Sequence, residues 1–461
     1  MKSVHPGSDR AVGRIGVPAW PRFIAGRTEG GDMPETSVYE ELGVPAVVNA
    51  AGTKTRIGGS RIRPEAREAM ARAASSFVRL SDLQAAASDR IAELTGSEAG
   101  YVTNGAAGAL LLAAAACLAG DDPGVMARLP DTGDVADEVV MPRTHRTAYD
   151  HAIRTAGATV VDIGSNDRRL DTGSRDVEPW EYADAIGEDT AAVAHVYKSY
   201  LGPPLAEVCA IAHDHGVPVI VDAAAELPPT ENLSWFTEQG ADLVAFSGGK
   251  GIRGPQTTGI LAGRRDLIAS VATQHLDMHA SAAVWDPPAS LLDATRFDGV
   301  PRQGIGRPLK VGKEELVGLL RALELFVEED HDATRREWRE CAERVATALE
   351  SDRLSTAVVD DGRSVAPVVE IEVAGGQSAA TGLVRALHAE SPRVFVGSDD
   401  LGAGRFTINP MCLTDEEADY VVERVLANLG DGAPGGNEGM ARDGADGDSG
   451  ENGDAPAEGT E

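Results

Sequence analysis

The sequence predicts an α/β protein, with a large domain on a mostly parallel sheet followed by a smaller α+β domain. Three observations predict it. First, short and almost continuously apolar segments near Val139, Thr159, Ala192, Val217, Leu243 and Thr258 are separated by helical stretches. Strands apolar on both faces belong to parallel sheets covered by helices on both sides. Second, the texture changes after Arg307. A long helical stretch runs from Lys313 to about Leu349, with a break near His331. Strands near Val368 and Val394 follow with a helix between them, and a last helix runs from Asp415 to Leu429. Third, the stretch from Val217 to Gly259 opens with VPVIVDAAAE and closes with ADLVAFSGGKGIRGPQTTG. These are two apolar strands, one strand-to-strand excursion apart, each ending at polar residues.

The elements divide the chain. Residues 1–37 lack periodicity and read as a flexible N-terminal extension. Residues 38–306 form the large domain with an N-terminal arm, and 307–429 the small one. Residues 430–461 are rich in Gly, Asp, Glu and Ala, bury too little surface to fold, and read as a disordered acidic tail. Within the large domain, Pro64 to Ser76 is a helix with proline at its start. Ser81 to Leu94 is a second helix, with Ser81 as its cap, and Gly105 to Leu118 a third.

At 461 residues the chain can bury a large core. Its net charge is −31, of which the tail supplies nine acids against one arginine. Six lysines face 36 arginines. An acidic, lysine-poor surface stays hydrated in concentrated salt, which points to a halophilic source. The same charge repels nucleic-acid phosphates. Molar salt screens that repulsion, with a Debye length of about 3 Å at 1 M, so charge weighs against a tRNA partner and leaves it open. The longest apolar run, Ala109 to Ala119, is too short to span a bilayer. The N-terminus has no apolar signal-peptide core, so a cytoplasmic protein is expected. Cys117, Cys209, Cys341 and Cys412 are isolated, with no zinc or disulfide spacing. His213 and His215 flank one Asp on a helical stretch, no HExxH pattern occurs, and no metal is expected.

The chemistry concentrates at two strand ends. Asp222 closes VPVIVD, and Lys250, 28 residues later, lies in Ser247-Gly248-Gly249-Lys250-Gly251. A buried Asp and a Lys in a glycine turn at neighbouring strand ends suit pyridoxal 5'-phosphate. The lysine links to the cofactor aldehyde, and the Asp keeps the pyridine nitrogen protonated so that the ring accepts electrons. Glycines let the backbone approach a ligand closely. Burial and a neighbouring cation lower a lysine pKa and favour the free amine. The plain alternatives are a solvated surface turn for Lys250 and a helix N-cap for Asp222.

Asn104, Gly105 and Ala106 open the Ala/Leu-rich helix. Free N–H groups and the positive dipole end there suit the cofactor phosphate, with Ser247 adding a hydroxyl; tight packing is the alternative. His145 follows the strand EVVMP, where a flat ring could stack on the pyridine face or merely cap a helix. Arg146 is an alternative contact for an anionic substrate. Arg56, Arg307 and Arg405 are candidate anion clamps, because guanidinium grips carboxylate or phosphate with two bonds. Lys198, after the apolar strand ending in HVYK, is a further candidate facing the substrate.

Four segments carry a resemblance: VVNAAGTKTRIGGS, LTGSEAGYVTNGAAGALLLAAAACLAG, FSGGKGIRGPQTTG and GIGRPLKVGKEELVGLLRALE. Over about residues 38 to 428 the chain resembles pyridoxal-phosphate-dependent enzymes of fold type I. Within them it is similar to the branch of bacterial selenocysteine synthase (seryl-tRNA selenium transferase) and D-glucosaminate-6-phosphate ammonia-lyase. The lysine segment and GIGRPLKVGKEE are the most specific pieces. The resemblance implies a seven-stranded sheet, Lys250 as the cofactor-linked lysine and Asp222 as the pyridinium partner. It also implies a homodimer or a larger homo-oligomer with sites at subunit interfaces.

Only about 37 residues precede the shared core, and they are not strongly basic, whereas the selenium transferase carries an N-terminal tRNA-gripping domain. The segment LPDTGDVADEVVMPRTHRTAYDHA is similar to the lyase side. The expectation is therefore a lyase that eliminates and deaminates a β-hydroxy amino acid or amino sugar acid to a 2-keto acid and ammonia. The alternatives are a transferase acting on aminoacyl-tRNA, another reaction on the same fold, or a cofactor-binding regulatory protein without turnover.

Overall fold

The computed structural model describes residues 38–165, 177–277, 279–362 and 364–429. The readings for 1–37 and 430–461 lie outside the described residues. Twelve strands are present among them: β1 (Val47–Ala50), β2 (Ala99–Thr103), β3 (Glu138–Pro142), β4 (Thr159–Ile163), β5 (Thr190–Val196), β6 (Val219–Asp222), β7 (Leu243–Ser247), β8 (Gly259–Gly263), β9 (Leu354–Val359), β10 (Val368–Val373), β11 (Arg393–Val396) and β12 (Arg405–Ile408).

Seven strands make the large sheet, in the order β2-β8-β7-β6-β5-β3-β4. The pairs β3–β4, β3–β5, β5–β6 and β6–β7 are parallel. β8 runs against both of its neighbours. The all-apolar helix Gly105–Ala119 packs on one face, with Leu112 and Ala113 to Ala116 fully buried. A helix apolar all round must be covered all round, and the helices Arg265–His275 and Asp150–Thr155 help to cover this one. The opposite face carries Ile91, Tyr182, Phe236 and the helix Lys313–Glu328, which buries Leu316, Leu319, Leu323 and Phe326.

The C-terminal unit has a three-stranded antiparallel sheet, β12-β10-β9, backed by the helices His331–Leu349, Gly376–Ala389 and Asp415–Asn428. Its other strand, β11, pairs in parallel with β1, so that Val48 and Ala50 join this core. The chain between β1 and the first helices then reaches the lysine turn. Asn49 Nδ2 donates to the Gly52 carbonyl at 3.0 Å, and Ser60 donates through N–H and Oγ to the Gly249 carbonyl at 3.2 and 2.9 Å.

The helical break at His331 is present between Lys313–Glu328 and His331–Leu349, where Asp330 Oδ1 accepts from Ala333 N–H. Ser81 does not cap its helix. The helix begins at Leu80 after Arg79, and the Ser81 hydroxyl is buried inside it without a partner. The strand read near Val217 starts at Val219, since Pro218 has no N–H to give the ladder. β1, β2, β9 and β12 escape the sequence reading; each is four to six residues long.

Candidate active site

Chain order reverses between β3 and β5. From β3 the chain moves outward to β4, and it returns on the other side of β3 as β5. Crevices at the carboxyl ends of such strands are where open α/β sheets bind ligands. His145 follows β3, Lys198 follows β5, Asp222 ends β6, and Lys250 lies in the turn after β7.

Asp222 is opposite Val196 on one side and Ala245 on the other. No helix starts after it, so the N-cap alternative falls. The Ala224 N–H donates to its Oδ1 at 3.0 Å. Burial pushes its carboxyl up, opposed by that N–H and by the charges of Lys250 and Lys198. Burial pulls the Lys250 amine down, the Asp222 charge raises it, and Lys198 pushes it down again. A desolvated amine beside one carboxylate and a second cation favours the neutral form that condenses with an aldehyde. Lys250 is thus no solvated surface lysine.

Glycine at 251 is forced: a Cβ there would collide with the Leu227 carbonyl. The lysine turn therefore lies directly against the loop leaving β6. In that loop Glu226 accepts from Lys198 Nζ at 2.6 Å.

His145 is buried, and its ring meets that of His195 edge-on at 4.5 Å. The Val196 N–H donates to its Nδ1 at 3.3 Å, while its Nε2 and the Nδ1 of His195 are buried without partners among the described residues. His195, Thr147, Tyr149 and Asp150 line a small cavity together with Asp222. Burial lowers His145 to about 4. Burial, and then the charge of His145, lowers His195 to about 3. Both rings are neutral near pH 7.

Both folded-state values lie below the ordinary histidine value, so the unfolded chain binds more protons as pH falls below about 6.5. The stability these rings contribute is full above that pH and is lost through windows reaching down to about 4 for His145 and about 3 for His195. Each ring should remove up to about 1.4 kcal/mol per pH unit. Denaturant unfolding at pH 7.5, 6 and 5 should show this slope, and replacing both rings by Gln should flatten it. An unchanged slope would refute the assignment.

The helix Gly105–Ala119 starts at Asn104, whose side chain makes no cap bond and whose Oδ1 is buried without a partner. Gly105 takes φ +76°, a left-handed conformation that favours glycine. Gly259, paired with Ser247 across β7 and β8, lies so close to Gly105 that a Cβ would strike its backbone. Asn104, Gly105, Ala106 and Ser247 are thereby gathered at one end of the sheet. The helix start offers N–H groups and the positive dipole end to an anion.

The arginines divide differently. Arg307 is no free clamp, because its guanidinium donates to the carbonyls of Thr273 at 2.8 Å, Pro301 at 2.5 Å and Leu276. Arg405 lies on β12, ion-paired with Glu370 at 3.4 Å. Arg146 is held by Asp150 and Asp162 at 2.9 and 3.0 Å. Arg56 is exposed beside the small unit, 5.8 Å over the Phe395 ring. Three residues that the sequence reading did not single out join the site: His195, Glu226 and Lys54, whose charge reaches Lys250. Glu226 follows the end of β6 by four residues, and that position was the available signal; His195 lies inside β5 and carried none.

The residues fit pyridoxal phosphate. A desolvated amine, a buried carboxylate, a buried ring with an unpartnered nitrogen among the described residues and a glycine-lined helix start lie at the carboxyl-end side of one sheet, the set of groups that this cofactor requires.

Comparison with known proteins agrees. The chain is 34% identical over 416 residues to a 5'-C-glycyluridine monooxygenase-decarboxylase of a Streptomyces species, covering 87% of this chain and 95% of the relative. It is 29% identical over 411 residues to the D-glucosaminate-6-phosphate ammonia lyase of Salmonella typhimurium, covering 84% and 97%. A solved structure of D-glucosaminate-6-phosphate ammonia-lyase superposes with a TM-score of 0.69 at 28% identity, over 86% of this chain and 98% of that one. The family model of L-seryl-tRNA selenium transferase matches residues 47–280. With its fold type I architecture and this match over half its length, the chain belongs to the L-seryl-tRNA selenium transferase family.

Proposed function

We propose that the protein is a pyridoxal-phosphate-dependent lyase. It eliminates and deaminates a β-hydroxy amino acid or amino sugar acid, such as D-glucosaminate 6-phosphate, to a 2-keto acid and ammonia. One observation carries the reading: the Lys250 amine, desolvated and faced by the Asp222 carboxylate, at the crevice of a chain that matches an ammonia lyase almost end to end. When bound, the cofactor supplies an electron sink for charge developing at the substrate α-carbon.

The chain's own residues do the rest. Lys250 Nζ, favoured in its neutral form by burial, takes the α-proton as general base. Asp222 would hold the ring nitrogen in its protonated form through a charge-assisted bond that burial strengthens. His145 would contact the ring, and the N–H groups at Gly105 and Ala106 would hold the phosphate. Arg56, an exposed cation of the segment after β1, is assigned to the substrate's own phosphate or carboxylate. We further propose a cytoplasmic homo-oligomer that does not need nucleic acid.

A second reading is favoured by the 34% identity to a monooxygenase-decarboxylase. In it the same crevice serves an oxygen-dependent decarboxylation of an amino acid. Purified protein should be loaded with the cofactor in high salt. It should then be given D-glucosaminate 6-phosphate and, separately, 5'-C-glycyluridine. Ammonia and keto-acid release from the first, without oxygen uptake, is the expected result. Oxygen uptake with carbon dioxide release from the second alone would replace the lyase by the decarboxylase. A shift of total tRNA on a gel at matched salt would favour the transferase.

A further inference from the structure

Elimination needs two proton movements, and Lys250 accounts for one. The β-hydroxyl is a poor leaving group unless it is protonated as its bond to carbon breaks. On the elimination reading, we infer that Lys198 is the general acid that protonates the departing hydroxyl, with the Glu226 carboxylate holding its ammonium in place.

The geometry assigns it. β5 and β6 are adjacent and parallel, with Val196 opposite Asp222. Lys198 lies two residues beyond the first and Glu226 four residues beyond the second, so both stand over the same edge of the sheet. They are joined by a 2.6 Å ion pair, with the side chains 30% and 16% exposed. Both partners are anchored from below. The Tyr197 N–H donates to the Asp222 carbonyl at 3.1 Å, and the Glu226 carbonyl accepts from Asn232 Nδ2 at 2.7 Å. The loop that carries Glu226 is pressed against the lysine turn, where only glycine fits at 251 under the Leu227 carbonyl. Lys198 and Glu226 both contribute to the charge felt at Lys250, and Lys198 also to that at Asp222. The Lys198–Glu226 pair therefore lies within electrostatic reach of both Lys250 and Asp222.

The step balances. Lys250 Nζ removes the α-proton, and the electron pair of that C–H bond becomes the Cα–Cβ double bond. The Cβ–O bond breaks, its pair leaves with oxygen, and the Lys198 proton completes a water molecule. Lys250 then returns its proton to the β-carbon of the enamine, and one water molecule hydrolyses the resulting imine to the keto acid and ammonium, with no change in oxidation state overall. Lys198, left neutral beside Glu226, regains a proton from solvent through its exposed side.

The test separates a proton donor from a binding group. Lys198→Met and Glu226→Gln are compared with the parent protein on D-glucosaminate 6-phosphate and on β-chloroalanine, whose chloride leaves without a proton. General-acid loss should slow the hydroxy substrate about 10²–10⁴-fold in Lys198→Met and leave the chloride substrate within about fivefold of the parent, with kcat falling more than KM rises. Glu226→Gln should show a smaller loss in the same direction.

Two readouts do not need turnover. Cofactor affinity by absorbance titration should stay within about threefold of the parent. Exchange of the α-hydrogen of the hydroxy substrate in deuterium oxide, followed by NMR, should persist in Lys198→Met. Equal losses on both substrates, or lost exchange, would make Lys198 a substrate clamp and overturn the inference; so would full activity on the hydroxy substrate. If the parent protein eliminates neither substrate, the elimination reading itself falls.

Discussion

Lys250→Ala is expected to yield a folded protein that takes up no covalently linked cofactor and has lost activity on the order of 10⁴-fold or more. The argument is local. The turn's shape depends on its glycines and on the carbonyls of Gly248 and Gly249, which accept from Gly254 N–H and from Ser60. None of these bonds involves the lysine side chain. Removing a buried amine also relieves its desolvation. Far-UV circular dichroism and thermal unfolding should therefore match the parent, while the visible absorbance band of the loaded protein disappears and borohydride reduction no longer fixes cofactor to the chain. Lys250→Arg should behave alike, because guanidinium keeps the charge but cannot condense with an aldehyde at neutral pH. A band that survives in either variant would move the covalent link to another lysine.

Asp222→Ala should cost on the order of 10²–10³-fold in kcat, the scale seen when one preorganised electrostatic partner is removed. Asp222→Glu should recover part of it. The carboxylate is desolvated and, among the described residues, receives only the Ala224 N–H as a direct bond. Its loss should therefore leave stability about unchanged, because burying it is itself costly. A second effect has a fixed sign. The Asp222 charge raises the Lys250 amine, so its removal lets burial and Lys198 pull that amine further down. The pH at which the aldehyde condenses with the chain should shift to lower values in Asp222→Ala. An upward shift, or wild-type kcat, would refute the pairing of these two groups.

Lys250 and Asp222 stood out in the sequence because Asp222 closes one uninterrupted apolar strand and Lys250 follows another by three residues, and the glycines around Lys250 announce close backbone approach. The helix Gly105–Ala119 was legible because nothing in it tolerates water. The arginines were not. Arg146, Arg307 and Arg405 resemble any others in a chain with 36 of them. Only the fold reveals that three carbonyls, or a carboxylate on a neighbouring element, already hold the guanidinium. His195 was hidden because it lies inside an apolar strand, where a histidine reads as core. The short strands β1 and β12 were hidden because four residues cannot display a period. Their pairing comes from partners far along the chain.

The pairing of β1 with β11 joins residues 47–50 to residues 393–396. The segment that follows β1 also buttresses the reactive turn through Ser60. During synthesis, β1 waits for its mate until β11 has left the ribosome. A truncated product ending before Arg393 would display an unsatisfied strand edge and a loosely held turn, prone to stick to its own kind.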